Sequence, residues 1–213
     1  MFELDHLVIA ASDLDEGTAF VQNLLGVPLE PGGKHTAMGT HNRLLSLGDG
    51  VYLEVITIDS DAPAPDRPRW YGLDSEEVRE RLGRGPTLLH WAARAKGVSL
   101  QNADVSNNIF GQVTPMQRGD LHWLITIPDD GHLPGEGVLP TLIDWGDTPH
   151  PTTKLPGRGL KLAKLRGFHP QPEEVEKILA ELGLEEVIEI RRGEVGLEAE
   201  IETLVRGTLT FSH

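Results

Sequence analysis

Four ionisable residues interrupt runs of apolar side chains. His6 lies within Leu4-Asp5-His6-Leu7-Val8-Ile9, and Glu54 within Tyr52-Leu53-Glu54-Val55-Ile56. His90 lies within Leu88-Leu89-His90-Trp91-Ala92, and Asp144 within Thr141-Leu142-Ile143-Asp144-Trp145. A buried carboxylate is costly unless it is paired or bound to a metal, so these acids need partners. Strand side chains two apart share a face, and a sheet that is concave on one side would gather all four there. The interval from His6 to Glu54 resembles that from His90 to Asp144, which suggests one histidine and one acid per repeating unit. Two histidines and two carboxylates form a mixed N/O set suited to Zn, Mn, Fe or Ni. A divalent metal held among these four is therefore one expectation, and a hydrogen-bonded pocket without any cofactor is the other. Each residue also has a plainer reading. His6 and His90 could be hydrogen-bonded strand histidines, and Asp144 stands beside Trp145-Gly146, where a turn begins.

The surrounding elements must position these groups. Phe2 to Ala11 reads as a strand, Ser12 as a helix N-cap with Asp15 as its capping-box partner, and Gly26 as the helix stop. Strand-like runs follow at Asn42–Leu47 and Val51–Ile56, joined by a Gly48-Asp49-Gly50 turn, so residues 1–58 read β-α-β-β-β. Residues 59–84 form a Pro- and Asp-rich connector with a short helix from Ser75 to Gly83. Residues 85–150 are a middle, β-rich segment with strands at Leu88–Ala93, His122–Ile127 and Leu139–Trp145. Residues 158–213 again read β-α-β-β-β, with Pro172 opening the helix and Gly183 closing it. The expected fold class is α+β: paired βαβββ modules forming a cupped mixed sheet, with an additional module-like segment, in one domain.

Composition narrows the partners. The formal charge of −14 has no compensating Lys/Arg run, which disfavours nucleic acid. No apolar run approaches the length of a membrane span, and the acidic N-terminus lacks the basic region of a secretory signal. The absence of cysteine excludes disulfides and thiolate metal sites and fits a cytoplasmic location. Nucleophile-elbow, phosphate-loop, H-E-x-x-H and C-x-x-C motifs are all missing. A small-molecule substrate is the remaining expectation.

Taken in order, Asp5-His6-Leu7-Val8-Ile9-Ala10, the helix ending Leu24-Leu25-Gly26, Gly39-Thr40-His41-Asn42 and Tyr52-Leu53-Glu54-Val55-Ile56 resemble the opening module of glyoxalase-like proteins of the vicinal oxygen chelate superfamily. Leu88-Leu89-His90-Trp91-Ala92, Arg118-Gly119-Asp120-Leu121-His122-Trp123 and Pro140-Thr141-Leu142-Ile143-Asp144-Trp145 resemble its later part. The resemblance implies paired βαβββ modules around a pocket. It also implies a divalent metal held by a histidine of each opening strand and a glutamate of each closing strand. On those positions His6 and Glu54 match, His90 fits, and Asp144 would replace a glutamate with a shorter side chain. Isomerase, lyase or dioxygenase chemistry on a small oxygenated substrate would follow, with the metal stabilising an enolate or oxyanion. Cups of this family often dimerise, so a homodimer is a further expectation.

Two departures keep a metal-free binding or sequestering protein in view. Asp144 is one methylene short, and three module-like segments compete to close one cup. If the last segment pairs with the first, it brings Lys161, Lys164 and Thr210 rather than ligands. If Glu54 or Asp144 is not a ligand, it could serve as a general base. His41 and Asn42 are expected near the pocket mouth as substrate contacts, Trp91 and Trp123 as pocket wall or core, and Trp70-Tyr71 as a cover or a staple.

Overall fold

The computed structural model describes residues 1–97, 99–102 and 109–212. Eight strands make one strongly curled mixed sheet, a half-barrel. They are β1 (Phe2–Ala10), β2 (Glu30–His35), β3 (Thr40–Ser46), β4 (Tyr52–Ile58), β5 (Thr87–Ala95), β6 (Gln112–Arg118), β7 (Leu121–Ile127) and β8 (Thr141–Asp144). Their order is β2-β3-β4-β1-β5-β8-β7-β6. β1 runs parallel to β4, and β5 parallel to β8, while β1 and β5 meet antiparallel at the centre. The two halves therefore repeat each other about the β1–β5 seam, and the middle segment closes the cup against the first.

The C-terminal segment has the expected element order: β9 (Leu160–His169), α3 (Pro172–Leu182), β10 (Glu189–Arg192), β11 (Gly196–Thr203) and β12 (Gly207–Ser212). Its wiring differs from the first half. β9 pairs in parallel with β10, the strand directly after the helix, giving the order β10-β9-β11-β12 in a separate sheet. In the first half the parallel partner of β1 is β4, the last strand. Sequence pattern specifies strand and helix, but not which strand receives which.

The curled sheet has a core on each face. On the convex side Leu7, Ile9, Leu53, Val55, Trp91 and Ala93 pack with α1 (Leu14–Leu25) and with Leu165, Leu179, Ile201 and Phe211 of the C-terminal unit. α1 lies over β3 and β4, whereas β11 and β12 lie against β5. The second sheet thus backs the half of the cup that has no α-helix of its own among the described residues. Inside the cup Val8, Ile56, Trp123 and Ile143 pack with Trp70, Tyr71 and Leu73 from the connector and Val78 and Leu82 from α2 (Glu76–Leu82). Trp70 and Tyr71 are both 4 % exposed, so the connector's end fills the cup.

α1 is capped one residue later than its sequence suggests. Asp13 accepts the Asp15 and Glu16 amides, whereas the Ser12 hydroxyl donates to the Leu82 carbonyl and ties α2 to the strand end. A carboxylate at the positive helix end is the better-placed acceptor. Gly17, in the helix interior, is set by packing: a Cβ there would stand 2.7 Å from Val55 Cγ1 and 2.8 Å from Ala11 Cβ. Alanine gains about 1 kcal/mol of helix propensity over glycine, but overpacking a core costs about 1–3 kcal/mol. Gly17→Ala is therefore expected to lower the unfolding free energy by about 1 kcal/mol in urea titrations. Unchanged or increased stability would contradict the close packing of α1 on β4.

Candidate functional site

β1 carries an irregularity that decides where His6 points. Phe2 and Leu4 belong to the convex core, and so do Leu7 and Ile9, although strict alternation would put the two pairs on opposite faces. The register against β5 jumps between Leu4 and His6, leaving Asp5 as the extra residue of a bulge. Past it, the phase has shifted and His6 faces the cup beside Val8. Glu54 reaches the same space from β4, where Tyr52, Glu54 and Ile56 alternate with the convex Leu53 and Val55. His6 Nε2 stands 3.6 Å from Glu54 Oε2, and the imidazole stacks on Tyr52 with centroids 4.6 Å apart.

Asp5 is fully buried and fully answered. One carboxylate oxygen accepts from His6 Nδ1 at 2.6 Å. The other accepts from Trp145 Nε1 at 2.9 Å and from His150 Nε2 at 3.0 Å, with Arg94 Nη1 3.7 Å away. Burial alone would raise the Asp5 pKa, but the hydrogen bonds and charges of His150 and His6 outweigh it and hold the group below the usual carboxylate range. An ionised Asp5 only accepts, so the proton of neutral His6 sits on Nδ1 and the Nε2 lone pair faces Glu54. At 3.6 Å the two acceptors face each other across the cavity, beyond hydrogen-bond distance. Burial, with neighbouring Asp5 and Glu54, also raises the Tyr52 hydroxyl well above its ordinary value, so it stays protonated.

From Glu54 the network continues outward. The Asn42 amide donates to Glu54 Oε1, and Asn42 Oδ1 accepts from Arg118 Nη1 at 2.8 Å and from the Gly33 amide at 2.9 Å. Gly32 and Gly33 make room for this crossing: a Cβ on the first would meet Asn42 Oδ1 at 2.0 Å, and one on the second would meet Arg118 Cδ at 2.8 Å. Arg118, on edge strand β6, thereby reaches across to β3 and closes one side of the cup. The enclosed free space is about 30 Å³, with Trp70, Tyr71, Trp123 and Trp145 among its walls.

The second half of the cup carries different chemistry at the matching positions. Two residues beyond His6, Val8 pairs with Glu54; two residues beyond His90, Ala92 pairs with Thr141. Thr141 therefore stands where the first half has its acid. The His90 Nε2 lone pair accepts the Thr141 amide at 3.0 Å, with Thr141 Oγ1 at 2.9 Å. His90 Nδ1 lies 3.2 Å from the Gly137 carbonyl, which can only accept. Both ring nitrogens are thus committed and no lone pair remains for a metal. Asp144 lies three residues past Thr141, on the other face of β8, where it accepts the Leu100 and Gly146 amides. His6 and Glu54 remain as two metal donors, and among the described residues no group of three or more His, Cys, Asp or Glu is disposed to hold an ion. The donor set does not fit the divalent metal that the resemblance implies.

Of the residues singled out in the sequence, His6, Glu54, Asn42 and Trp123 line one cavity. His90 lies deeper, its ring tilted against Tyr71 with centroids 5.3 Å apart. Trp91 belongs to the convex core, its indole donating to the Val138 carbonyl, and His41 alternates to the face of β3 away from Asn42. Sequence reasoning missed the roles of Asp5, His150, Arg118 and Thr141. Asp5 interrupts the same apolar run as His6 and was findable by the same logic, whereas His150 sits in an irregular Pro-flanked loop that offers no signal.

A family model described as "Glyoxalase-like domain" matches residues 4–183. No curated protein sequence matches the chain. Among solved structures, a hypothetical protein from Staphylococcus aureus aligns over 100% of this chain and 85% of its own, at 14% identity and a TM-score of 0.58. A methylmalonyl-CoA epimerase in complex with methylmalonyl-CoA and NH4+ aligns over 71% of this chain and 99% of its own, at 20% identity and a TM-score of 0.43. The corresponding epimerase from Mycobacterium tuberculosis covers 67% and 87%, at 22% identity and a TM-score of 0.39. At these identities the likeness is one of fold alone. No helix of the described residues is long and apolar enough to cross a membrane.

Two buried histidines make stability depend on pH. Burial, aided by the Arg118 charge, pushes His35 down to about 3, and burial does the same for His90 against the pull of the Gly137 carbonyl. In the unfolded chain both take up a proton near 6.5. Between those values the unfolded state binds more protons, so stability is whole above pH 6.5 and falls as pH drops toward 3. Each histidine contributes a slope of about 1.4 kcal/mol per pH unit. Urea unfolding at pH 7, 6 and 5 is expected to show this decline, and His35→Asn is expected to reduce its slope by one proton. A flat profile across that range would show that the two rings are charged in the folded protein.

Proposed function

This chain belongs to the glyoxalase-like domain family, and we propose that it binds a small oxygenated molecule in the cup and transfers a proton on it without a metal. The observation that supports this reading is the His6–Glu54 pair, two facing acceptors 3.6 Å apart in a buried pocket, which the proposed reaction takes to share one proton. When that proton is on Nε2, His6 is an imidazolium steadied by Asp5, and Glu54 is a free carboxylate. Glu54 then takes a proton from a carbon next to a carbonyl, and the imidazolium N–H stabilises the oxyanion that forms. Return of the proton from Glu54 completes an isomerisation or epimerisation and restores the pair. Asn42 holds Glu54, and Asp5, fixed by Trp145 and His150, holds His6; these act as positioning residues.

Positioned acid–base groups contribute about 10²–10⁴ in rate. Small enolisable carbonyl compounds, incubated in D2O and followed by proton NMR, are expected to include at least one whose α-proton exchange the protein accelerates. Glu54→Gln and His6→Asn should each cut that acceleration about 100-fold or more. If no compound exchanges faster but some bind, the sequestering reading replaces this one, a reading favoured by the aromatic walls of the cup. Metal analysis gives an independent check. After incubation with Zn, Mn, Fe and Ni and dialysis, far less than one ion per chain is expected; about one per chain, lost in His6→Ala and Glu54→Ala, would restore the metal-dependent reading.

A further inference from the structure

Two hydrogen-bond donors at the pocket are not used up by the network around it. Asp5 is answered by three N–H donors with Arg94 nearby, and Glu54 by the Asn42 amide. Arg118 is left over. It lines the cavity and has no carboxylate within 4 Å among the described residues, its named partner being the neutral Asn42. One of its five N–H donors is used in that bond. A second donor waits at the same cavity. Trp70 is 4 % exposed, and its indole nitrogen is buried with no hydrogen-bond partner among the described residues. A buried N–H without an acceptor costs about 1–3 kcal/mol. Arg118, part-exposed and bonded to the neutral Asn42, and Trp70, whose indole N–H has no acceptor among the described residues, therefore line one cavity. The protein as a whole is strongly acidic, so a general attraction for anions does not account for this arrangement.

We propose that the ligand of this pocket carries a carboxylate, paired with the Arg118 guanidinium and accepting the Trp70 indole N–H. A planar carboxylate matches the fork of an arginine, which can engage both oxygens at once. The free space of about 30 Å³ holds little more than one water molecule, so an organic acid enters only as the Trp70–Tyr71 turn gives way. That turn is a short 3₁₀ segment in which Tyr71 has φ 59° and Gly72 φ 64°, left-handed values that a tyrosine rarely adopts. The inference rests on the proposed function for the location of the site and adds the substrate class: a small carboxylic acid whose carbonyl carbon framework lies toward Glu54.

Calorimetric titration of the full chain with acetate, propanoate and benzoate, each against its neutral amide, tests this. At least one acid is expected to bind about tenfold or more tightly than its amide. Arg118→Gln should abolish that preference, whereas Arg118→Lys, which keeps the charge but not the fork, should retain part of it. Glu54→Gln should leave the preference in place while removing proton transfer, which separates failure of this inference from failure of the catalytic reading. If no acid outcompetes its amide, or if the preference survives Arg118→Gln, the assignment is overturned.

Discussion

The site depends on one buried carboxylate. Asp5 is the extra residue of the bulge that turns His6 from the convex core into the cup, and it also grips the ring so turned. Without the bulge, His6 would continue the alternation of Phe2 and Leu4 into a packed apolar interface. Without hydrogen-bond donors, a carboxylate at the centre of the sheet could not stay ionised there. Three donors from three parts of the chain meet this requirement: His6 on β1, Trp145 just past β8, and His150 in the loop beyond. The same contacts that keep the charge also tie the middle segment to the first strand. Local backbone irregularity, buried charge and tertiary closure are here a single arrangement.

The internal repeat shows how one frame can carry two chemistries. Both halves set a histidine on the opening strand and a polar residue diagonally across on the closing strand. In the first half that residue is Glu54, and the histidine keeps a free nitrogen; in the second it is Thr141, and both nitrogens of His90 are satisfied by a hydroxyl, an amide and a carbonyl. The carboxylate's reach and charge make a pair that the proposed reaction takes to share a proton, whereas the short threonine makes a structural knot. With an acid in one half and a threonine in the other, the pocket is asymmetric, its histidine–carboxylate pair on one side and Arg118 on the other.

Much of this was legible in the residues. The strands, the two long helices and the inward acid Glu54 follow from periodicity, turn residues and the cost of buried charge. β2 was counted in the β-α-β-β-β order but could not be placed, and β6 was not visible, because Pro31-Gly32-Gly33 and Pro115 break the strand pattern; both strands lie at sheet edges, where a missing amide donor is tolerated. The C-terminal segment shows a different limit. Its element order is that of the first half, yet a short β10 beside β9 gives another topology, since pairing is decided by packing rather than by order. Asp144 failed as a site residue for a reason of parity. Its distance from His90 resembled the Glu54 interval, but a bulge in β5 and the register of β8 put Thr141 on the inward face instead.

Filling the cup resolves a conflict between stability and access. A concave sheet lined by Val8, Ile56, Ile125 and Ile143 would expose a large apolar surface if left open, and Trp70 and Tyr71 cover it. The same rings leave Glu54 and His6 in a space too small for anything but water. Under the proposed function this covering turn has to give way for a ligand to enter. It is a single short turn with Tyr71 at a left-handed φ; the Trp70 indole nitrogen is unpaired, while the Gly72 amide donates to the Gly131 carbonyl at 2.7 Å. The Trp70 ring itself is held by apolar contacts, so on the proposed reading a molecule with apolar surface and an acceptor for that nitrogen would replace those contacts with its own, while the Gly72–Gly131 hydrogen bond keeps the base of the turn in place.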